Sequence, residues 1–265
     1  MLTVNGKNVD YVMINNSCFK YKLDWLDKNQ TGAAKQNAIY RGKKLGVLTD
    51  DMSLNIKSGN FDDFCIGDYF TIGQNQYTIA GINYKIDDDN PTLNNHLVLL
   101  TSADSQKYQM NPTATTEGGF VGSDFFKNSL PTIVDRLEKD FGDHLLSFNE
   151  KLTDKVEDGV PTHMSDYTVK ACMCSSKMIS GSAHGSTDSG KIYNSGNDNQ
   201  LPIYKLRPNL ATGNANWYWL RDVTNATDFA LINTSGKIVW DDLPNHTSWY
   251  SAYYKNQMRA YFLIN

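Results

Sequence analysis

His96-Leu97-Val98-Leu99-Leu100 is an unbroken apolar run of strand length, and further along lies the stretch Asn128-Ser129-Leu130-Pro131-Thr132-Ile133-Val134-Asp135-Arg136-Leu137-Glu138-Lys139-Asp140-Phe141-Gly142. The first has no polar face, so it reads as a strand in the middle of a sheet. In the second, Asn128 and Ser129 can cap a helix, and Pro131 falls in the first turn, where a missing N–H costs nothing. Leu130, Ile133, Val134, Leu137 and Phe141 recur at helical spacing, and Gly142 ends the pattern. A buried strand plus an amphipathic helix predicts an α+β fold, the helix laying one stripe on a sheet.

Outward from this pair, the sequence predicts strands at 64–66 and 69–72 on either side of Gly67-Asp68, and another at 76–82. A second helical stretch is expected from Asp143 to Asp154. Ser180 to Gln200 is rich in Gly and Ser and poor in apolar residues, so it reads as a long exposed loop. Strands are then expected at 201–206, 217–223, 229–233, 237–240 and 258–264. No internal repeat is apparent.

The amino-terminal part differs in texture. Asn5-Gly6 is a strong hairpin signal, and Asn15-Asn16 separates two further short strand candidates. Residues 1–27 are therefore expected to form a small β-rich anchor. Residues 28–36, polar and without periodicity, read as a linker. Residues 37–265 are left as one large display domain.

With 40% apolar and 20% charged residues the chain has the composition of a folded globular protein. A net charge of −4 and the lack of any basic run argue against nucleic-acid binding. No apolar run approaches the length of a membrane span, and the start lacks the pattern of a secretory signal, so synthesis in a cytosol is expected. Four cysteines, at 18, 65, 172 and 174, are too few and too scattered for a disulfide framework. Cys172-Met173-Cys174 lacks the partners of a metal site and reads as buried residues on a strand.

Several strings together carry a resemblance: Ala38-Ile39-Tyr40-Arg41-Gly42-Lys43, Ser58-Gly59-Asn60-Phe61-Asp62-Asp63 continuing to Ile66-Gly67-Asp68-Tyr69, Gly118-Gly119-Phe120-Val121-Gly122-Ser123, Trp219-Leu220-Arg221-Asp222 and the closing Arg259-Ala260-Tyr261-Phe262. The combination, spread over residues 37–265, resembles a group of structural proteins in tailed phages of Firmicutes: head-fibre, decoration or tail-associated subunits. The resemblance implies a C-type-lectin-like or sulfatase-modifying-factor-like domain of short mixed strands, one or two helices and long loops. It further implies a virion component, assembled in the host cytoplasm, with host attachment as one use of the domain; the expectation of no enzymatic activity rests instead on the absence of catalytic motifs. The closing strand departs from the family's pattern, with Ala260 where a proline is usual and aromatics between Trp249 and Lys255 in place of a glycine-rich turn.

Candidate site residues follow from chemistry as well as from the resemblance. Trp240, Trp249, Tyr250, Tyr253 and Tyr254 lie among Asn, Asp, Ser and His, a mixture that suits either a glycan or a subunit interface. A dedicated receptor-binding lectin for host cell-wall glycan is the alternative function. Asp87 and Asp89, and Asp241 and Asp242, offer hard oxygen ligands of the kind calcium takes, although such acidic turns are more commonly solvated; no cofactor is otherwise expected. Trp217 and Trp219 share one strand face, and Arg221 and Asp222 are expected to bond neighbouring backbone. There is no GxSxG, HExxH, P-loop or dinucleotide signature, and His96, His144, His163, His184 and His246 are isolated from one another. Expected partners are other virion proteins through residues 1–36, further copies of the chain in a homo-oligomer, commonly a trimer in phage fibres, and a host-surface glycan.

Overall fold

A computed structural model describes residues 32–87, 89–102, 106–182, 195–212, 216–239 and 251–265, together with the backbone of 3–4, 7–8, 11–14 and 17–20. The four amino-terminal pieces are strands β1 (Thr3–Val4), β2 (Lys7–Asn8), β3 (Tyr11–Ile14) and β4 (Ser17–Lys20). They pair antiparallel, β1 with β2 and β3 with β4; the expected turns at Asn5-Gly6 and Asn15-Asn16 lie outside the described residues. The latter half of the expected linker is ordered: Gly32–Gln36 forms a short helix α1, with Gln36 buried and Ala33 against the core.

The main sheet has six strands in the order β11-β16-β8-β7-β6-β5, formed by β5 (Lys44–Gly46), β6 (Tyr69–Ile72), β7 (Asn75–Ile82), β8 (Leu97–Thr101), β11 (Ala171–Met173) and β16 (Ala260–Ile264). All neighbours are antiparallel except β5 and β6. As the apolar run at 96–100 predicts, β8 is an interior strand with every residue buried. A helix α2 (Asp50–Ser58) fills the β5–β6 connection, capped by the Thr49 hydroxyl accepting from the Met52 N–H and ended by Gly59 at φ +79°.

A single-turn helix α3 (Gly119–Gly122) and a π turn at 125–129 lead into helix α4 (Leu130–Phe141), which matches the sequence expectation almost to the residue. Leu130, Ile133, Leu137 and Phe141 are buried, each worth about 1.5–3 kcal/mol as removed apolar surface. Phe141 seats the helix on the sheet. Its ring lies 5.0 Å from Tyr77 of β7 and 5.2 Å from Phe262 of β16, edge-on or tilted, as aromatic quadrupoles prefer. The Tyr77 hydroxyl donates to Asp140 on the same helix.

Three expected elements are overturned. The segment 143–154 is not helical beyond a 3₁₀ turn at 142–144. It enters β9 (Phe148–Glu157), which pairs over ten residues with β10 (Val160–Val169). The pair is joined through Asp158 at φ +49° and Gly159 at φ +79°, the tight-turn geometry that Asp-Gly favours. The segment 201–206 is not a strand but a short helix α6 (Pro202–Leu206), entered through Pro202, which follows α5 (Ser176–Ser180). Residues 64–66 form no strand, contributing one bridge from Ile66 to Tyr40.

The second sheet has the order β14-β13-β12-β15, from β12 (Tyr218–Val223), β13 (Phe229–Ile232), β14 (Ile238–Val239) and β15 (Gln257–Met258). β15 runs parallel to β12, and after Arg259 the chain continues as β16 between β11 and β8. One extended segment thus serves both sheets. Apart from its outer strand β14 the second sheet is buried, with β12 and β13 without an exposed residue.

Close backbone approach fixes how β9 meets α3. Gly119 has φ +65°, and a Cβ there would stand 2.4 Å from the Thr153 carbonyl oxygen. Gly119→Ala is expected to lower stability by about 2–4 kcal/mol, the sum of a left-handed backbone and a forced shift in β9. A urea midpoint equal to that of the parent protein would contradict this account of the contact.

Candidate functional site

Arg221 on β12 is 1% exposed, yet its guanidinium reaches two carboxylates: Nη2 donates to Glu150 Oε1 on β9 at 2.6 Å and to Asp198 Oδ2 at 2.5 Å. Lys85, in the turn after β7, meets the same two carboxylates, at 2.6 Å from Glu150 and 3.0 Å from Asp198. Two cations and two anions therefore share one dry site with no net charge. Tyr261 of β16 donates to Glu150 Oε2 at 2.6 Å, and the Ser175 hydroxyl, which caps α5, donates to Asp198 at 2.5 Å.

Such a cluster survives burial only because each charge has hydrogen-bonded opposites; desolvation alone would cost several kcal/mol per ion. Burial pulls the Lys85 ammonium down, but Asp198 and Glu150 more than offset it and hold it above its ordinary value. Burial likewise works against Asp198, and Arg221 and Lys85 outweigh it, so this carboxyl is held below the usual range. The expectation that Arg221 bonds neighbouring backbone is therefore corrected: its partners are side chains far away in the chain. Asp222 accepts from the Ser176 N–H at 2.7 Å and from the Ser176 hydroxyl at 2.9 Å. Burial pushes its carboxyl up to about 7.

A second ionic clasp joins two of the strings singled out in the sequence. Buried Asp68 accepts from Arg41 Nε at 3.1 Å and Nη2 at 2.5 Å, and from the backbone N–H groups of Lys43 and Cys65 at 2.8 and 2.9 Å. Beside it Tyr40 lies flat against Gly67, where a Cβ would come within 2.3 Å of the ring.

Reactive groups among the described residues are restrained. Burial pushes the thiols of Cys172 and Cys174 up to about 11 and about 12, which keeps them protonated and poor nucleophiles. Burial pushes His96 down to about 4, and its Nε2 accepts from the Lys85 N–H. No group of three or more His, Cys, Asp or Glu side chains able to hold a metal occurs among the described residues.

The expected site residues fall into two sets. Trp240, Asp241, Asp242, Trp249 and Tyr250 lie outside the described residues. Tyr253 and Tyr254 stack with centroids 4.5 Å apart, Tyr253 being 40% exposed. Asp87 Oδ1 accepts from the Asp89 N–H and from Asn90 Nδ2, both at 3.1 Å. Asp89 takes Lys151 Nζ on one oxygen and Asn197 Nδ2 on the other, each at 2.7 Å, so a lysine ammonium occupies the position a metal cation would need.

What the sequence did not single out is a cleft of about 330 Å³ between the β6–β7 face and the segment after α6. Tyr40, Tyr69, Gln76, Thr78, Thr212 and Arg259 are among its walls. Tyr40, Gly42, Gly67, Tyr69 and Arg259 fall within the recognisable strings, and nothing local announces that they converge.

No family model, no curated protein and no solved structure matches the chain. Among the described residues no helix is long and apolar enough to cross a membrane.

Arg221→Met should cost about 3–5 kcal/mol, because Glu150 and Asp198 would remain buried with Lys85 as their only cation. A loss under 1 kcal/mol in chemical denaturation would mean that the cluster is dispensable. Asp222 supplies a pH signature. Its folded value is raised, so its contribution is fully present below an unfolded value of about 4 and is lost as pH rises through about 7. Asp222→Asn is expected to flatten the fall in stability over that window, where the slope from this group is at most ~1.4 kcal/mol per pH unit. Parallel melting curves for parent and variant from pH 4 to 7 would refute it.

Proposed function

We propose that the chain is a virion structural protein of a tailed bacteriophage, a head-fibre, decoration or tail-associated subunit, whose residues after 31 form a C-type-lectin-like display domain. One observation carries the reading. The strings that resemble such phage proteins are far apart in the sequence, yet their polar residues supply ionic clasps of the fold, Arg41 with Asp68 and Arg221 with Glu150 and Asp198. Residues used in this way are what a shared scaffold requires, which favours a common fold over chance similarity of short strings. The mixed sheets, short helices and long connections agree with the lectin-like form the resemblance implies.

The domain acts by contact and not by turnover. Its buried thiols are held protonated, and its strongest carboxylates are saturated by Arg221, Lys85, Tyr261 and Ser175. Residues 1–31 are the part that joins other virion proteins, with a closed homo-oligomer supplying avidity. The second reading, recognition of a host-surface glycan, is favoured by the exposed Tyr253 stacked on Tyr254, an apolar face with a polar edge.

Mass spectrometry of purified particles should find the polypeptide at structural copy number. A form lacking residues 1–31 should melt like the parent domain and be missing from particles. Particles without the polypeptide would remove the viral assignment, and normal incorporation of the shortened form would remove the anchor.

A further inference from the structure

Of the arginines, Arg41 and Arg221 are matched by carboxylates, whereas Arg207 and Arg259 have no carboxylate partner among the described residues. Arg259 lines the cleft beside β6 and β7, and Arg207 lies against Tyr40 in its wall. Arg259 is held there by neutral acceptors: Nε donates to the Thr101 carbonyl at 3.0 Å, and Nη1 to the Leu210 carbonyl at 3.1 Å and the Tyr204 hydroxyl at 3.3 Å. The Tyr218 hydroxyl is a further neutral partner of the guanidinium, and the residue lines the cleft. Arg207, exposed, lies with its guanidinium carbon 4.8 Å from the centre of the Tyr40 ring, which is itself part of the cleft wall.

A fixed cation without a counter-ion is an unfavourable thing to build into a wall unless something negative completes it. The other lining groups say what that something looks like. Tyr69 offers a ring, while Tyr40, already in contact with Gly67 and Arg207, contributes wall. Gln76, Thr78, Ser102 and Thr212 supply amide and hydroxyl groups that can give or accept. At about 330 Å³ the space sits at the small end of ligand sites, roughly 300–1,000 Å³, large enough for one or two sugar rings.

We propose that this cleft binds an acidic sugar, a glycan unit bearing a carboxylate or phosphate, with Arg259 and Arg207 meeting the charge and Tyr69 meeting the ring. Two guanidiniums favour planar, bidentate recognition of an oxyanion. Phenol rings accept the C–H face of a sugar, and the hydroxyl and amide groups read its hydroxyls. The inference deepens the glycan reading above and rests on it only for where the ligand comes from. It places recognition at the β6–β7 cleft instead of the tyrosine pair at 253–254.

The test is calorimetric or NMR titration of the full chain with glucuronate, glucose 6-phosphate, glucose and inorganic phosphate at matched ionic strength. At least one charged sugar should bind about tenfold or more tightly than glucose, since a hydrogen bond to an ionised group is worth about 1.5–3 kcal/mol. Added salt should weaken it. Arg207→Ala, at an exposed position, should cost about tenfold in affinity without altering the melting curve, and Tyr69→Phe should cost less. Preference for glucuronate identifies a carboxylated glycan and preference for glucose 6-phosphate a phosphorylated one. Equal affinity for glucose, or phosphate alone binding as well as glucose 6-phosphate, would overturn the proposal. So would charged-sugar binding unaffected by Arg207→Ala. Binding abolished by Tyr253→Ala and indifferent to Arg207→Ala would move the site while leaving the glycan reading intact. No binding of any sugar would remove the site and leave the virion assignment to be judged on the particle experiment.

Discussion

The buried quartet of Arg221, Lys85, Glu150 and Asp198 is the constraint on which the domain's arrangement depends. Its members come from the turn after β7, from β9, from the loop before α6 and from β12, and Tyr261 adds β16. The two sheets and the β9–β10 hairpin therefore meet around a single electrostatic unit. An apolar core tolerates small shifts of one layer over another, because dispersion and hydrophobic burial have little directionality. Hydrogen-bonded charges in a dry site do not, since any slip leaves an ion unpaired. Apolar packing supplies the bulk of the stability, and the quartet sets the register in which it is realised.

The same quartet explains where the sequence was hard to read. Local periodicity made β8 and α4 legible, because Leu97–Leu100 and the stripe from Leu130 to Phe141 are apolar where the fold needs them to be. In β9 the inward positions are Phe148, Glu150 and Leu152, and the glutamate breaks the alternation that would have announced a strand. The Asp158-Gly159 turn was the available sign of the hairpin, and it lies just beyond the stretch that looked helical. Pro202 in the first turn of α6 and the Thr49 and Gly59 ends of α2 were equally local signals. Lys85 and Asp198, by contrast, sit in segments without pattern, and only the folded chain brings them to Arg221.

The candidate site was less legible than the fold. Aromatic clustering drew attention to 240–254, of which the described part contributes the stacked Tyr253 and Tyr254. The β6–β7 cleft draws instead on Tyr40, Tyr69, Gln76, Thr212 and Arg259, single residues contributed by distant segments. The charge balance makes the difference visible. In a chain of net charge −4, arginines left without carboxylates stand out once the ion pairs are known, and they cannot be recognised before then.

The segment 257–264 has a consequence for how the molecule is made. Met258 aligns with Trp219 in one sheet, and two residues later Ala260 aligns with Met173 in the other, with strand β16 then lying between β11 and β8. While this piece of chain is still inside the ribosomal tunnel, β8 lacks its β16 neighbour, and Glu150 lacks the Tyr261 hydroxyl. The nascent domain can collapse but cannot close, so its interior strand edges stay open until residues 257–264 emerge. Commitment to the native state waits for residues 257–264, the stretch of backbone that bolts both halves together.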